Sequence, residues 1–447
     1  MNTSVTLPLW AFLLILGFAA ITFASHFLFP SVRWFFRRRL QRAVARLNTR
    51  LQRPIEPFRL MRRYDLIQRL IYDPEVTHAI VEHARETGVR EDVAFERARR
   101  YAGEIVPSFS AFAYFGWGVR GARLLSNALF RVRLGHHDPQ ELAGIDPEAT
   151  VVFVMNHRSN MDYVLVTHLA AERSALSYAV GEWAQVWPLS RLIRSMGAYF
   201  IRRKSRDALY RKVLRQYVAM ATKGGVTQAI FPEGGLSLDG ALAPAKLGLL
   251  SYMVDGQDLT ARDVVFVPVG LNYDRVLEDT VLIDAARGEG RRFKVGKSYV
   301  VRALLKQIWL RLRGKYHRFG YAAVSFGTPL SLRANPDLAA DPQGLADQLM
   351  TQVGQVVPVL PVPLVAHLLL EKGGTRPELE ARFAESASQL SACHIHLPRN
   401  DTGYAVEVGL RALTERDLVS QTGGTYRVNE TSREIVTFYA NSIRHLF

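Results

Sequence analysis

A single cysteine, Cys393, stands among 447 residues, which excludes an intramolecular disulfide framework and any cysteine-rich zinc site. Metal-ligand spacing is missing as well: His136-His137-Asp138 has no third ligand nearby, and a surface loop accounts for it, so no metal is expected. No serine sits in a G-x-S-x-G elbow, which argues against a serine hydrolase. Nor is there a charged residue between Met1 and Val32. Residues 7–29 are almost wholly apolar, with Trp10 at one end and Trp34, Phe35 and Phe36 at the other; about 20 such residues span a hydrocarbon core. The same stretch has no lysine or arginine in an n-region and no clear small-residue cleavage site. An uncleaved transmembrane helix over residues 1–32 is therefore the expectation.

What is present points to a folded protein with an anionic partner. The apolar fraction is 48%, too high for a disordered chain, and the net charge of +16 favours nucleic acid, anionic lipid or an acidic carrier protein. Arg33, Arg37, Arg38, Arg39, Arg42, Arg46 and Arg50 follow the apolar stretch at once. By the positive-inside rule they place the bulk of a single-pass protein on the cytoplasmic side of the cell membrane, where they also suit anionic membrane lipids. Residues 33–130 read as this basic juxtamembrane segment followed by helices, with Leu66, Leu70 and Ile80 among the apolar positions at helical spacing. Asp73-Pro74 and Val106-Pro107-Ser108 break the pattern. Phe109, Phe112, Tyr114, Phe115 and Trp117 form an aromatic stripe that reads as core packing ahead of an acyl-chain or membrane contact.

From residue 131 to 330 short apolar runs alternate with helical ones. Residues 151–155, 196–201, 229–231, 264–269 and 322–326 read as strands, and residues 206–222 and 245–254 as helices. That alternation implies an α/β layer, a mixed, partly parallel sheet covered by helices, flanked by N-terminal and C-terminal helical regions. Ligands gather where such strands end, and the polar clusters of this chain fall there. Residues 151–155 run into Asn156-His157-Arg158-Ser159-Asn160-Met161-Asp162. Five helical residues turn through roughly 500°, which would separate His157 from Asp162; with the histidine in the corner and the aspartate in the first helical turn, the two can meet. A carboxylate on one ring nitrogen fixes the tautomer and leaves the other basic. Arg202, Arg203 and Lys204 form a cationic corner suited to phosphate. Glu233 precedes Gly234 and Gly235, which allow close backbone approach to a ligand, and Ser237 and Lys246 follow.

The residues 156–163, Gly197-Ala-Tyr-Phe-Ile-Arg-Arg203, Phe231-Pro-Glu-Gly-Gly-Leu-Ser237 and Val267-Pro-Val-Gly-Leu-Asn-Tyr273 resemble the four ordered blocks of the glycerolipid acyltransferases. Within them the chain looks most similar to the bacterial glycerol-3-phosphate acyltransferases, through the second block and the terminal residues 439–446. The resemblance implies transfer from acyl-CoA or acyl carrier protein to the sn-1 hydroxyl of glycerol 3-phosphate, giving lysophosphatidate, with no cofactor. It implies His157 as general base and Asp162 as its orienter. Arg202, Arg203, Glu233, Gly234, Gly235, Ser237 and Lys246 would bind substrate. A thioester is already activated, so a base and an oxyanion site suffice without a covalent nucleophile.

One feature departs from the pattern. Close relatives tend to have Glu-Gly-x-Arg-Ser-Arg where this chain has Leu236 and Leu238 flanking Ser237, so lysophosphatidate or another lipid hydroxyl stays open as acceptor, and release of the acyl group to water as a further reaction. Residues 331–447 read as a helical domain in which residues 417–428 form a ribbon like that of a winged helix. A membrane-tethered nucleic-acid binder is the rival this raises, but the recognition stretch has no basic cluster and no nucleic acid is expected.

Overall fold

The structure is a computed structural model that describes residues 8–51, 53–170, 174–181, 185, 189–202, 205, 207–288, 319–390 and 394–447, without the side chains of 20, 21, 23–37, 40, 41 and 170. It divides into two compact units, Met1–Pro54 and Ile55–Phe447. The first is helix α1, Leu9–Asn48. Among the described residues no helix is long and apolar enough to cross a membrane. Much of the expected anchor lies outside the residues whose side chains are described, so the structure lends it no support. The boundaries expected at 130 and 330 both fall inside the second unit.

That unit is built on an eight-stranded sheet. Its strands are β1 (Arg131–Leu134), β2 (Thr150–Met155), β3 (Ser177–Gly181), β4 (Tyr199–Ile201), β5 (Gln228–Ile230), β6 (Val264–Tyr273), β7 (Tyr321–Phe326) and β8 (Leu330–Ser331), in the order β1-β7-β6-β2-β5-β3-β4 with β8 on β6. β6, β2, β5, β3 and β4 run parallel, and β7 and β8 run antiparallel to β6. The mixed, mostly parallel sheet covered by helices is the expected α/β layer. β2 lies at its centre and is buried throughout, which is why it reads as one apolar run.

Alternation along β2 sends side chains to two cores. Val151, Phe153 and Met155 join one, and Val152 and Val154 the other. The second core is closed by α2 (Pro57–Leu60), α3 (Arg63–Ile71), α4 (Pro74–Thr87), α5 (Glu91–Ile105), α10 (Ala208–Lys223), α11 (Gly248–Val254), α13 (Pro336–Ala340) and α14 (Pro342–Gln355). On the first lie α6 (Val119–Leu129), α8 (Asp162–Ala170) and α12 (Asp279–Ala286), together with α15 (Pro361–Glu371), α16 (Arg376–Gln389), α17 (Thr402–Thr414) and α18 (Arg433–Ala440). The winged element is present: β9 (Gly374–Thr375), β10 (Val419–Thr422) and β11 (Thr425–Val428) form a three-stranded sheet whose hairpin turns on Gly423 and Gly424, both at positive φ. Its helices share the first of the two cores, so packing there accounts for them.

Three short strands are less legible. β1 is exposed and arginine-rich at the sheet edge, β3 lies in a stretch with no bounding turn signal, and β4 is half the length read from the sequence because the turn at Met196 and Gly197 that closes α9 (Leu189–Ser195) takes its first residues. The aromatic stripe also splits. Tyr114 is buried, as core packing requires, whereas Phe112 and Trp117 are exposed, since residues Ala113–Gly118 wind as a π-helix and break the ordinary helical spacing. His136-His137-Asp138 is a loop: Asp138 caps the short helix α7 (Pro139–Ala143) by accepting from the Gln140 N–H at 2.7 Å.

Candidate active site

The chain leaves β2 at Met155 and enters α8 at Asp162, so the intervening corner lies at the carboxy end of the central strand. Asn156 fixes the corner to β6, its amide donating to Leu271 O at 2.9 Å and accepting from the Leu271 N–H at 2.8 Å. His157 then meets Asp162. The ring Nδ1 lies 2.8 Å from Oδ2, and both side chains are buried. The same oxygen accepts the backbone N–H groups of Arg158 at 2.7 Å and Ser159 at 3.0 Å, while Oδ1 accepts the Tyr273 hydroxyl at 2.6 Å. A carboxylate held by this many donors cannot rotate, so it fixes the imidazole with Nδ1 protonated. Among the described residues nothing hydrogen-bonds Nε2, which is left as the basic nitrogen. Phe231 stacks on the ring at 4.1 Å and Tyr163 meets it edge-on at 5.5 Å.

Glu233 is brought to the same corner, but as a tie. One carboxylate oxygen accepts the His157 N–H at 2.8 Å and the other the Ala243 N–H at 3.2 Å. Burial raises its pKa to about 7, against the two N–H donors and the Arg158 charge, which pull it down. Ser237 completes the tie from the other side, its N–H donating to His157 O at 2.9 Å and its hydroxyl to Ala241 O at 2.7 Å. Gly234 has a φ of +72°, and a Cβ there would lie 2.8 Å from the Lys246 side chain, which crosses the turn. Lys246 is exposed, and Gly235 is half-buried in the same turn.

The cationic corner stands apart. Strand pairing puts Ile201, Gly181, Pro232 and Asn156 at one level, so Arg202 follows β4 at the height of His157 but three strands away, about 14 Å at the usual strand spacing. Its guanidinium is engaged: Nε donates to Glu104 Oε1 at 2.9 Å and Nη2 to Oε2 at 2.6 Å, and it lies over the Tyr101 and Tyr210 rings. Arg203 lies outside the described residues.

Several residues at the site were not singled out from the sequence. Tyr273 was visible only as the end of an apolar block, and nothing local says that its hydroxyl reaches Asp162 across 111 residues. Glu278 accepts the Ser159 hydroxyl at 2.8 Å and the Asn160 amide at 3.0 Å, and burial raises its pKa. Arg158 is buried under the ring of Phe438 and donates to Gly240 O, tying the corner to α18. Removal of the Tyr273 hydroxyl in Tyr273→Phe leaves Asp162 with one oxygen unpartnered. Charge-assisted bonds contribute about 1.5–3 kcal/mol, so a roughly tenfold or greater fall in turnover is expected with the acceptor KM little changed, checked by steady-state kinetics.

Comparison with known proteins bears out the four-block resemblance. Residues 136–272 match the acyltransferase family model, and residues 305–447 match the glycerol-3-phosphate acyltransferase C-terminal region. The chain is 25% identical to the glycerol-3-phosphate acyltransferase of Xylella fastidiosa strain M23 over 92% of its own length and 50% of that protein's. It is 27% identical to the enzyme of that name from Aeromonas hydrophila over 86% and 50%. It thus spans about half the length of the curated relatives it matches. Among solved structures, the 1-acyl-sn-glycerophosphate acyltransferase of Thermotoga maritima aligns over 54% of this chain and 78% of that one at 17% identity, with a TM-score of 0.32.

Proposed function

We propose that this chain, which carries an acyltransferase domain and a glycerol-3-phosphate acyltransferase C-terminal region, moves a fatty acyl group from an acyl thioester to the sn-1 hydroxyl of glycerol 3-phosphate, giving lysophosphatidate. The observation that carries this reading is the His157–Asp162 pair at 2.8 Å at the end of the central strand. In the reaction the acceptor oxygen attacks the thioester carbonyl while His157 Nε2 takes the hydroxyl proton. The C–S bond then breaks, and the thiol leaves with that proton. Coenzyme A and acyl carrier protein are the two donor carriers in view, and work on the cytoplasmic face of a membrane suits the products and the basic charge of the chain.

The acceptor phosphate needs cations. Lys246 lies across Gly234 beside the corner and is exposed, which makes it a group in place for that role. Arg202 takes part only if it exchanges Glu104 for the phosphate. Leu236 and Leu238 supply no charge, and that observation favours a second reading in which lysophosphatidate or another lipid hydroxyl is the acceptor.

Mass spectrometry of products after parallel incubation with glycerol 3-phosphate and lysophosphatidate, each with acyl-CoA and with acyl carrier protein as donor, tests both. Lysophosphatidate formed from glycerol 3-phosphate is the expected outcome. Product from lysophosphatidate alone moves the assignment to the sn-2 reaction, and free fatty acid alone defeats acyl transfer. Under the first reading Lys246→Ala raises the acceptor KM, and Arg202→Ala does so only if the Glu104 exchange occurs.

A further inference from the structure

The exposed half of the aromatic stripe has no task in the site. Phe112, Trp117 and Leu124 are 67%, 71% and 74% exposed along the π-helical turn and α6, and Leu192 of α9 is 53% exposed. The two segments adjoin: the Ser110 N–H donates to Ser195 O at 2.9 Å, and a Cβ on Gly118 would strike the Met196 side chain. Trp117, Arg120, Gly121 and Leu124 follow one another at helical spacing on the exposed face, and the opposite face of α6 is fixed in the core through Leu129. Large apolar side chains grouped in this way mark a surface that meets something other than water.

Charge selects the partner. Residues 105–137 and 183–206 contain no aspartate or glutamate, and Arg120 and Arg191 stand exposed beside the apolar side chains. Aromatic and leucine side chains with arginines at their rim, in two segments that carry no acid of their own, match the boundary between headgroups and acyl chains. We propose that this face of the Ile55–Phe447 unit, formed by the π-helical turn, α6 and α9, seats on a bilayer containing anionic phospholipid, with Phe112, Trp117, Leu124 and Leu192 entering the interface. An acidic carrier protein would meet the arginines but gives no reason for four large apolar side chains to stand exposed together. Because α6 packs on α8, which begins at Asp162, the docked face lies one helix layer from the proposed base. The proposal rests on the lipid-enzyme reading only for that consequence.

The test uses the full chain and vesicles of phosphatidylcholine with and without phosphatidylglycerol, carrying brominated acyl chains that quench nearby tryptophan. Quenching on the anionic vesicles is expected to lose the Trp117 share in Trp117→Phe. In Arg120→Gln/Arg191→Gln the additional Trp117 quenching that phosphatidylglycerol brings is expected to be lost. Equal quenching in wild type and Trp117→Phe overturns the proposal, as does a Trp117 signal that responds to acyl carrier protein and not to vesicles. Transfer measured separately in detergent with soluble acceptor reports on the enzyme reading alone: Trp117→Phe retains it, and a wild type without transfer but with quenching would sink that reading and leave the surface standing.

Discussion

His157→Ala lowers acyl transfer by roughly 10²–10⁴-fold, the usual contribution of a positioned general base. The variant is expected to fold, for a reason visible in the corner itself. Removing the imidazole takes one donor from Asp162 but leaves it the N–H groups of Arg158 and Ser159 and the Tyr273 hydroxyl, so no unpartnered charge is created. The lost stacking on Phe231 costs packing only. Circular dichroism and a denaturant titration verify the fold, and initial rates with a saturating thioester measure the loss. A second readout separates the base from a merely structural histidine. The space vacated under Phe231 is the size of an imidazole, so added imidazole is expected to restore part of the rate in His157→Ala and none in the wild type. Full activity in the variant ends the assignment of His157.

What the sequence makes legible here follows the range of the interactions. The His157–Asp162 contact spans five residues and the strand that presents it is a continuous apolar run, so both can be read locally. Glu233 and Ser237 are also legible as members of a polar strand end, and the structure adds a contact that the pattern does not show: both hold the backbone of His157 in place. Arg202 shows the limit of reasoning from strand ends. It does follow a strand, at the right height, yet strand order is not written in any local pattern, and β5 and β3 intervene between its strand and β2. The carboxylate that engages it, Glu104, belongs to a helix 98 residues earlier. Tyr273, Glu278 and Arg158 escape notice on the same ground, since each acts through a partner more than 80 residues away. The aromatic stripe fails for another reason: a π-helical turn changes the residues per turn, and periodicity then assigns the wrong side chains to the core.

The largest expected effect on stability comes from a cluster that links the C-terminal region to the corner. Asp279 opens α12 immediately after Glu278, and its Oδ2 accepts Arg416 Nη2 at 2.6 Å and the Tyr439 hydroxyl at 2.5 Å. Arg416 also donates to the Tyr439 oxygen at 2.9 Å, and that oxygen accepts the Val276 N–H at 3.1 Å. Asp279 and Tyr439 are buried, and the Arg416 side chain is 19% exposed. Arg416→Met removes the cation and leaves a buried carboxylate held only by neutral donors, the Tyr439 phenol on Oδ2 and the Thr280 N–H on Oδ1. Breaking such a pair costs about 3–5 kcal/mol, and the partial exposure of Arg416 places the expected loss near the lower end. The loss appears as a lower denaturant midpoint with unchanged slope. Arg416→Met/Asp279→Leu removes both charges and should recover most of it, because a buried pair replaced whole by apolar groups is close to neutral. The kinetic consequence follows from Glu278, which holds Ser159 and Asn160 and shares its turn with Asp279: if the cluster sets that turn, the double variant regains stability while turnover stays below the wild type. Equal stability of Arg416→Met and wild type would remove the cluster from any role in holding the C-terminal region to the corner.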